Sequence, residues 1–200
     1  HKLLRLGYDP YAVKGILVTH GHADHLYGLP VFIQDLFVRQ FERAAGRAPL
    51  PIYANRIAQE RARNALAAFD CHFPFVEFHL IPDNPNALVL EADDFTLRTS
   101  PTDHSLPSHA FRFEPARGGK VIVYSADTAP HPNVVELARG ADILLHEAAM
   151  LTPLPHIHST PAEAAQIAAE AGARELILVH MHPDLQDPQC PALIEARKLF

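Results

Sequence analysis

Short apolar, β-branched runs recur along the chain at residues 15–19, 50–53, 95–99, 110–113, 120–125, 141–146 and 175–180. Each is four to six residues long, the signature of a buried strand. The segments between them carry helical spacing. Residues 29–45 place Val31, Ile33, Leu36, Phe37 and Phe41 broadly on one side, residues 56–68 are rich in Ala and Arg, and residues 133–139 form a short segment stopped by Gly140. The clearest helix is Pro161–Ala171. Thr160 stands at its N-cap, Pro161 in its first turn and Glu163 at the third position, with Gly172 at its C-terminal end, a capping box followed by a glycine stop. Gly118 and Gly119 suit the turn of a hairpin. Strand and helix alternate, so the pattern predicts an α/β protein with mixed sheets flanked by helices. No internal repeat, low-complexity segment or linker stands out. Residues 82–85, Pro-Asp-Asn-Pro, read as a turn, so a single domain over residues 1–200 is expected.

Composition narrows the classes. Two hundred residues suffice for one sizeable core, and 48% hydrophobic with 20% charged residues is ordinary for a globular protein. A net charge of -6 argues against a generally basic nucleic-acid binder. No apolar run reaches the length of a membrane span, so no membrane partner is expected, and no signal peptide is legible. Cys71 and Cys190 form no disulfide framework, which makes a reduced, cytoplasmic setting the expectation. The chain opens on His1, not methionine, and residues 1–14 read as a helix or loop leading into a strand; a fragment is expected.

Histidine is the outlier, at 14 residues. The run Gly15-Ile-Leu-Val-Thr-His20-Gly-His22-Ala-Asp24-His25 ends a buried strand with four potential ligands in six residues. A loop directly after a strand can turn such groups toward one point, and Gly21 eases a close backbone approach. Imidazole nitrogen with carboxylate oxygen suits zinc, and also manganese or iron. A polar loop with chance histidines is the competing reading, and the spacing and strand context favour the ligands.

The H-x-H-x-D-H run after a strand resembles the signature of the metallo-β-lactamase superfamily. That resemblance implies an αββα sandwich with two mixed β-sheets flanked by helices, here without the N-terminal strands, so the first sheet would be incomplete. It also implies two bound metal ions, zinc first, with Mn2+ or Fe2+ as alternatives. His20, His22 and His104 would hold one, Asp24, His25 and His180 the other, and Asp127 would bridge them; His104, Asp127 and His180 each follow or end a predicted strand. The aspartate at the bridging position points to the phosphodiesterase and hydrolase branches.

Two further segments resemble ribonuclease Z. Leu145-His146-Glu147-Ala148-Ala149 is similar to its His-Glu-Ala-Thr motif, with Ala149 where threonine is usual, and His156-Ile157-His158-Ser159-Thr160 is similar to the motif that precedes a helix in that family. The resemblance implies that Glu147 orients His158, that His158 is the general acid for a leaving alkoxide, and that Asp24 both binds metal and handles a proton of the attacking water. It runs from about Gly15 to Pro183, with His104–Phe113 and Pro49–Tyr53 fitting the same pattern. One departure concerns the substrate: tRNA-processing members of many bacteria carry a long arm between the third ligand and the bridging aspartate, and only 22 residues separate His104 from Asp127 here.

The expected activity is therefore a dinuclear, zinc-dependent, ribonuclease Z-like phosphodiesterase acting on RNA or another phosphodiester. The alternative is a small-molecule hydrolase of the same fold, such as a cyclic-nucleotide phosphodiesterase, arylsulfatase-like enzyme or lactonase; a non-catalytic binding module is the third reading. Six of the 17 basic residues fall at Arg39, Arg43, Arg47, Arg56, Arg61 and Arg63, opposed by Glu42 and Glu60. They describe either a phosphate-binding patch or the solvated faces of two helices. A homodimer is implied by the resemblance alone.

Overall fold

The computed structural model describes residues 2–40 and 48–200, and the chain divides into two compact units, His1–Ile81 and Pro82–Phe200. The division falls at the Pro-Asp-Asn-Pro turn. Within the first unit, short helix α1 (Lys2–Arg5) and a 3-10 turn (Pro10–Ala12) lead into β1 (Ile16–Val18), α2 (Ala23–Leu26), α3 (Gly28–Gln40), β2 (Leu50–Ala54), α4 (Arg56–Ala67) and β3 (Val76–Leu80). The three strands form one sheet in the order β1-β2-β3, parallel throughout, with Val18 opposite Ala54 and Ala54 opposite Leu80. Parallel neighbours need a crossover, which α3 and α4 supply. Ile33, Leu36, Leu50, Ile52, Ala58 and Ala62 are wholly buried in this unit's core.

The predicted helix over residues 29–45 is α3 as far as it is described; Phe41, Glu42, Arg43 and Arg47 lie outside the described residues. Its buried side is Leu29, Ile33 and Leu36. Val31, expected on that side, is 69% exposed. The helical period explains the correction: at about 100° per residue, positions 33 and 36 return to the face of 29, and position 31 falls on the far side.

The second unit runs β4 (Ala87–Glu91), β5 (Phe95–Pro101), β6 (His109–Pro115), β7 (Ile122–Tyr124), α5 (Pro132–Ala138), β8 (Ile143–Ala148), α6 (Pro161–Ala171), β9 (Leu176–Met181), a 3-10 turn (Pro183–Gln186) and α7 (Pro191–Leu199). Its six strands lie in sequence order. The first four form an antiparallel meander, and β7, β8 and β9 are mutually parallel. The β6–β7 hairpin turns at Gly118 and Gly119, both at positive φ, as the Gly-Gly pair predicted. Helix α6 has the predicted bounds, with both halves of the capping box formed and Gly172 in the left-handed conformation at its end. Its Ile167 and Ala168 join Val123, Leu137 and Leu144 in this unit's core. Strands β3 and β4 and helix α7 were not anticipated.

This topology has one consequence for chemistry. β5 is antiparallel to β6 and β6 to β7, so β5 runs in the same direction as β7, β8 and β9. The C-terminal ends of all four therefore emerge at one end of the sheet; His104 and Asp127 lie in the segments leaving β5 and β7, and Glu147 and His180 in the last residues of β8 and β9. Among the described residues, no helix is long and apolar enough to cross a membrane.

Candidate metal centre and acid site

In the first unit, β1 ends at Val18 and the chain turns through Thr19, His20 and Gly21 to His22, which occupies the N-cap of α2. His20 is wholly buried. Its Nδ1 lies 3.0 Å from the Thr19 hydroxyl and its Nε2 lies 3.0 Å from His22 Nδ1. Two ring nitrogens that close share either a proton or a cation. The His25 ring tilts over that of His20 at 4.1 Å between centroids, and His25 Nε2 is 3.4 Å from Asp24 Oδ2. The four residues of the run are thus gathered by one loop and the first turn of α2.

Helix α4 fixes this loop. Arg61 Nη1 donates to the Gly21 carbonyl at 2.9 Å, and a Cβ on Gly21 would sit 2.8 Å from Arg61 Cδ. Asn55, the N-cap of α4, accepts from Ala58 N–H and reaches the Thr19 carbonyl at 3.5 Å. Three of the six arginines are engaged in structure: besides Arg61, Arg39 pairs with Asp35 at 2.7 Å and Arg63 lies over the Phe78 ring at 4.2 Å.

In the second unit, strained and irregular backbone aims the side chains. Ala126, just before Asp127, has φ +57°, and His180 has φ +48°. The β8–β9 register slips at that point, from Glu147↔Val179 to Ala148↔Met181, so His180 is the extra residue of a β-bulge, a device that re-aims a side chain. Asp127 is buried, and its Oδ2 lies 3.5 Å from His180 Nε2. Asp127, His158 and His180 each offer a ligand atom within 4.8 Å of the others. The Asp127 backbone carbonyl accepts from both the Thr102 and Ser108 hydroxyls at 3.1 Å.

His104 donates from Nδ1 to the Ile157 carbonyl at 2.6 Å. That bond fixes the tautomer and leaves Nε2 as the lone-pair nitrogen, the usual arrangement of a metal-binding histidine. The donor set, imidazole nitrogen and carboxylate oxygen on short loops, fits zinc, manganese or iron.

Glu147 is wholly buried near the end of β8. Its Oε1 accepts from Thr128 N–H at 3.0 Å and from His158 Nδ1 at 2.8 Å, and its Oε2 accepts from Ala149 N–H at 2.8 Å. A carboxylate held by two backbone amides cannot turn, so it sets both the tautomer and the plane of His158. The His158 ring lies 5.0 Å from that of His104 and 5.5 Å from that of His180. Thr128, Ala149 and Arg61 hold the site residues in place, a role the sequence does not assign to any of them; Thr128 had a signal, as the residue directly after the candidate aspartate.

Four further histidines have structural partners. His109 is buried 3.2 Å from Asp83, and burial pulls its pKa below the ordinary value against the opposing effect of Asp83. His131 and His182 cap a helix and a 3-10 turn, and His79 stacks on Tyr53.

The chain has counterparts among known proteins. A family model described as "Beta-lactamase superfamily domain" matches residues 2–181. A ribonuclease Z from Anoxybacillus flavithermus is 26% identical over 251 residues, covering 99% of this chain and 78% of the relative. The solved structure of YhfI from Bacillus subtilis, a metallo-beta-lactamase fold protein, is similar at a TM-score of 0.78 and 25% identity, over 98% of this chain and 76% of that one. A diphosphatase of the PhnP family is similar at a TM-score of 0.71 and 27% identity, over 96% of this chain and 69% of that one.

Proposed function

Because this chain belongs to the beta-lactamase superfamily, has the metallo-β-lactamase fold and is a metal-dependent hydrolase, we propose that it is a ribonuclease Z-like phosphodiesterase acting on RNA or another phosphodiester. The observation that carries this reading is the Glu147–His158 contact, a buried, doubly anchored carboxylate 2.8 Å from an imidazole. Ester hydrolysis with a good leaving group needs no such pair. A departing ribose alkoxide does need a proton.

By the resemblance to the superfamily, His20, His22, Asp24, His25, His104, Asp127 and His180 are proposed as the ligands of two divalent ions, zinc in the first instance. When bound, the ions would supply Lewis acidity and a water acidified to near neutrality. The chain's own residues do the rest. His104 presents Nε2 because its other nitrogen is committed to Ile157. Asp24 takes a proton from the attacking water. His158 acts as the imidazolium: its Nδ1–H stays bonded to Glu147, its Nε2 proton goes to the leaving oxygen, and the Glu147 charge stabilises the doubly protonated ring and holds its plane. The cytoplasmic setting and the homodimer implied by the resemblance belong to the same proposal.

A second reading, hydrolysis of a small phosphodiester, is favoured by the β6–β7 hairpin. It closes tightly at Gly118–Gly119 and carries no arm for a folded RNA. The alignment with the A. flavithermus ribonuclease Z extends over more positions than this chain has residues, so that relative carries segments without a counterpart here. The likeness to a diphosphatase points the same way.

Metal analysis with two substrates tests both readings. Near two ions per chain are expected, with Asp127→Ala lowering that number. His158→Ala should lose about 10²–10³-fold in kcat on RNA and distinctly less on bis(p-nitrophenyl) phosphate, whose leaving group needs no proton. Cleavage of the aryl ester without cleavage of pre-tRNA would favour the small-substrate reading. Absence of bound metal would overturn both.

A further inference from the structure

We propose that Asp103 and His156 form a positioning pair that fixes the loop carrying His158, and with it the height of the general acid over the scissile bond. The inference rests on the role of His158 set out above. His156 Nδ1 lies 2.9 Å from Asp103 Oδ2. The two residues stand next to the functional histidines of their own segments, one before His104 and two before His158.

The two ends of this link differ in how firmly they are held. Asp103 is clamped to the segment that carries Asp127. Its N–H donates to the Thr128 hydroxyl at 3.2 Å, and its carbonyl accepts from Ala129 N–H at 2.7 Å, an isolated antiparallel bridge. The loop leaving β8 is held at its far end, where Ser159 Oγ donates to the Thr128 carbonyl at 2.7 Å and Thr160 caps α6. Its outer part folds back on itself, with His158 N–H donating to the Leu154 carbonyl at 3.3 Å. The His156 side chain connects that outer part to the clamped Asp103.

Folding alone does not account for the link. His156 is 84% exposed, and an exposed ion pair contributes little to stability. His156 also sits at φ +62°, a conformation that a non-glycine residue adopts at a cost. A strained residue making a weak surface contact two residues from the general acid is explained when the contact serves alignment. The His104 Nδ1 bond to the Ile157 carbonyl, directly between His156 and His158, makes the same stretch register against the His104 segment.

The test uses the metal-loaded protein on an RNA dinucleotide and on bis(p-nitrophenyl) phosphate. Asp103→Ala and His156→Gly, the latter keeping the backbone at ease with positive φ, should each lower kcat on RNA by about tenfold with KM held within about twofold. Turnover of the aryl ester and bound metal should stay at the wild-type level. Asp103→Asn, which retains an acceptor for the imidazole N–H, should restore most of the rate, and the double variant should be no worse than either single one, since both remove the same contact. A readout independent of activity is amide exchange in the metal-free protein, where the His158 amide should exchange faster in His156→Gly. Unchanged kcat on RNA, or equal losses on both substrates with loss of metal, would overturn the inference. The underlying reading fails separately, if His158→Ala itself does not discriminate between the two leaving groups.

Discussion

The two units build their clusters by opposite means. In the first, His20, His22, Asp24 and His25 come from one loop and one helical turn, and a single strand end delivers all of them. In the second, His104, Asp127, Glu147 and His180 stand at or just beyond the ends of four different strands and meet only because β5, β7, β8 and β9 run the same way. A contiguous cluster depends on local backbone and one or two props. A dispersed cluster depends on the whole sheet and on cross-links between loops, and it acquires them: Thr102, Ser108, Thr128, Ser125 and Ser159 each bond across to a neighbouring segment. Damage to the first should therefore show in metal binding, and damage to the second in stability as well.

The sharpest contrast is between two carboxylates. Glu147→Gln keeps one acceptor oxygen but sets an NH2 either against Ala149 N–H or against Thr128 N–H and His158 Nδ1–H, and it removes the charge that stabilises the His158 imidazolium. It should cost about 1–3 kcal/mol of stability through a buried donor left unsatisfied, and about 100-fold in kcat on RNA through loss of the oriented acid. Asp24 is 57% exposed. Asp24→Asn should weaken metal binding yet leave stability within about 0.5 kcal/mol of wild type. Thermal unfolding and metal titration on both variants check the pair. Equal stability losses would mean that the two clusters are supported alike and that the contrast is false.

That contrast also explains what could be read from the sequence. The contiguous run His20–His25 was legible because a strand pattern and ligand spacing occupy one stretch of chain. So was α6, whose cap, proline and glycine all lie within its own thirteen residues, Thr160 to Gly172. His104, Asp127, His158 and His180 were found through the family resemblance; spacing alone would have left each as an isolated residue at a strand end. The anchors of Glu147 depend on which loop faces which and leave no trace in local pattern. The same holds for the Arg61 bond to Gly21, which spans 40 positions. Strand β3, Val-Glu-Phe-His-Leu, does alternate apolar and polar residues, but its burial is mostly partial and its run is short. Helix α7 has Cys190 at its N-cap with no side-chain cap, so of the boundary signals that marked α6 only the first-turn proline, Pro191, is present there.

The prop in the first unit offers a smaller test of the same comparison. Arg61→Ala removes the donor to the Gly21 carbonyl between His20 and His22. Partners of this kind, acting behind the ligands, are worth about 10–100-fold in metal affinity, and the lower end of that range is expected because Thr19 and Asn55 still support the loop. Competition with a chelating dye measures it. If Arg61 instead serves a phosphate patch, the variant will keep its metal affinity and reduce the salt dependence of RNA binding by about one unit of slope.

The mildest effect should come from pH. His146 is wholly buried beside Glu147 and donates from Nδ1 to the Glu147 carbonyl at 2.8 Å. Burial pulls its pKa below the ordinary histidine value, against the opposing pull of that backbone bond and of the Glu147 and Glu163 charges. The folded state therefore keeps the ring neutral where the unfolded chain takes up a proton. Stability is flat above about pH 6.5 and falls as pH drops below it, with a limiting slope of about 1.4 kcal/mol per pH unit for one such group. His109 shifts in the same direction and adds to the slope. His146→Asn keeps a donor for the carbonyl and removes the titration, so the difference in unfolding free energy between pH 7.5 and 5.5 should shrink by up to about 1.4 kcal/mol. Urea unfolding at the two pH values measures it. An unchanged difference would mean that the acid sensitivity of the second unit resides elsewhere than under its dispersed cluster.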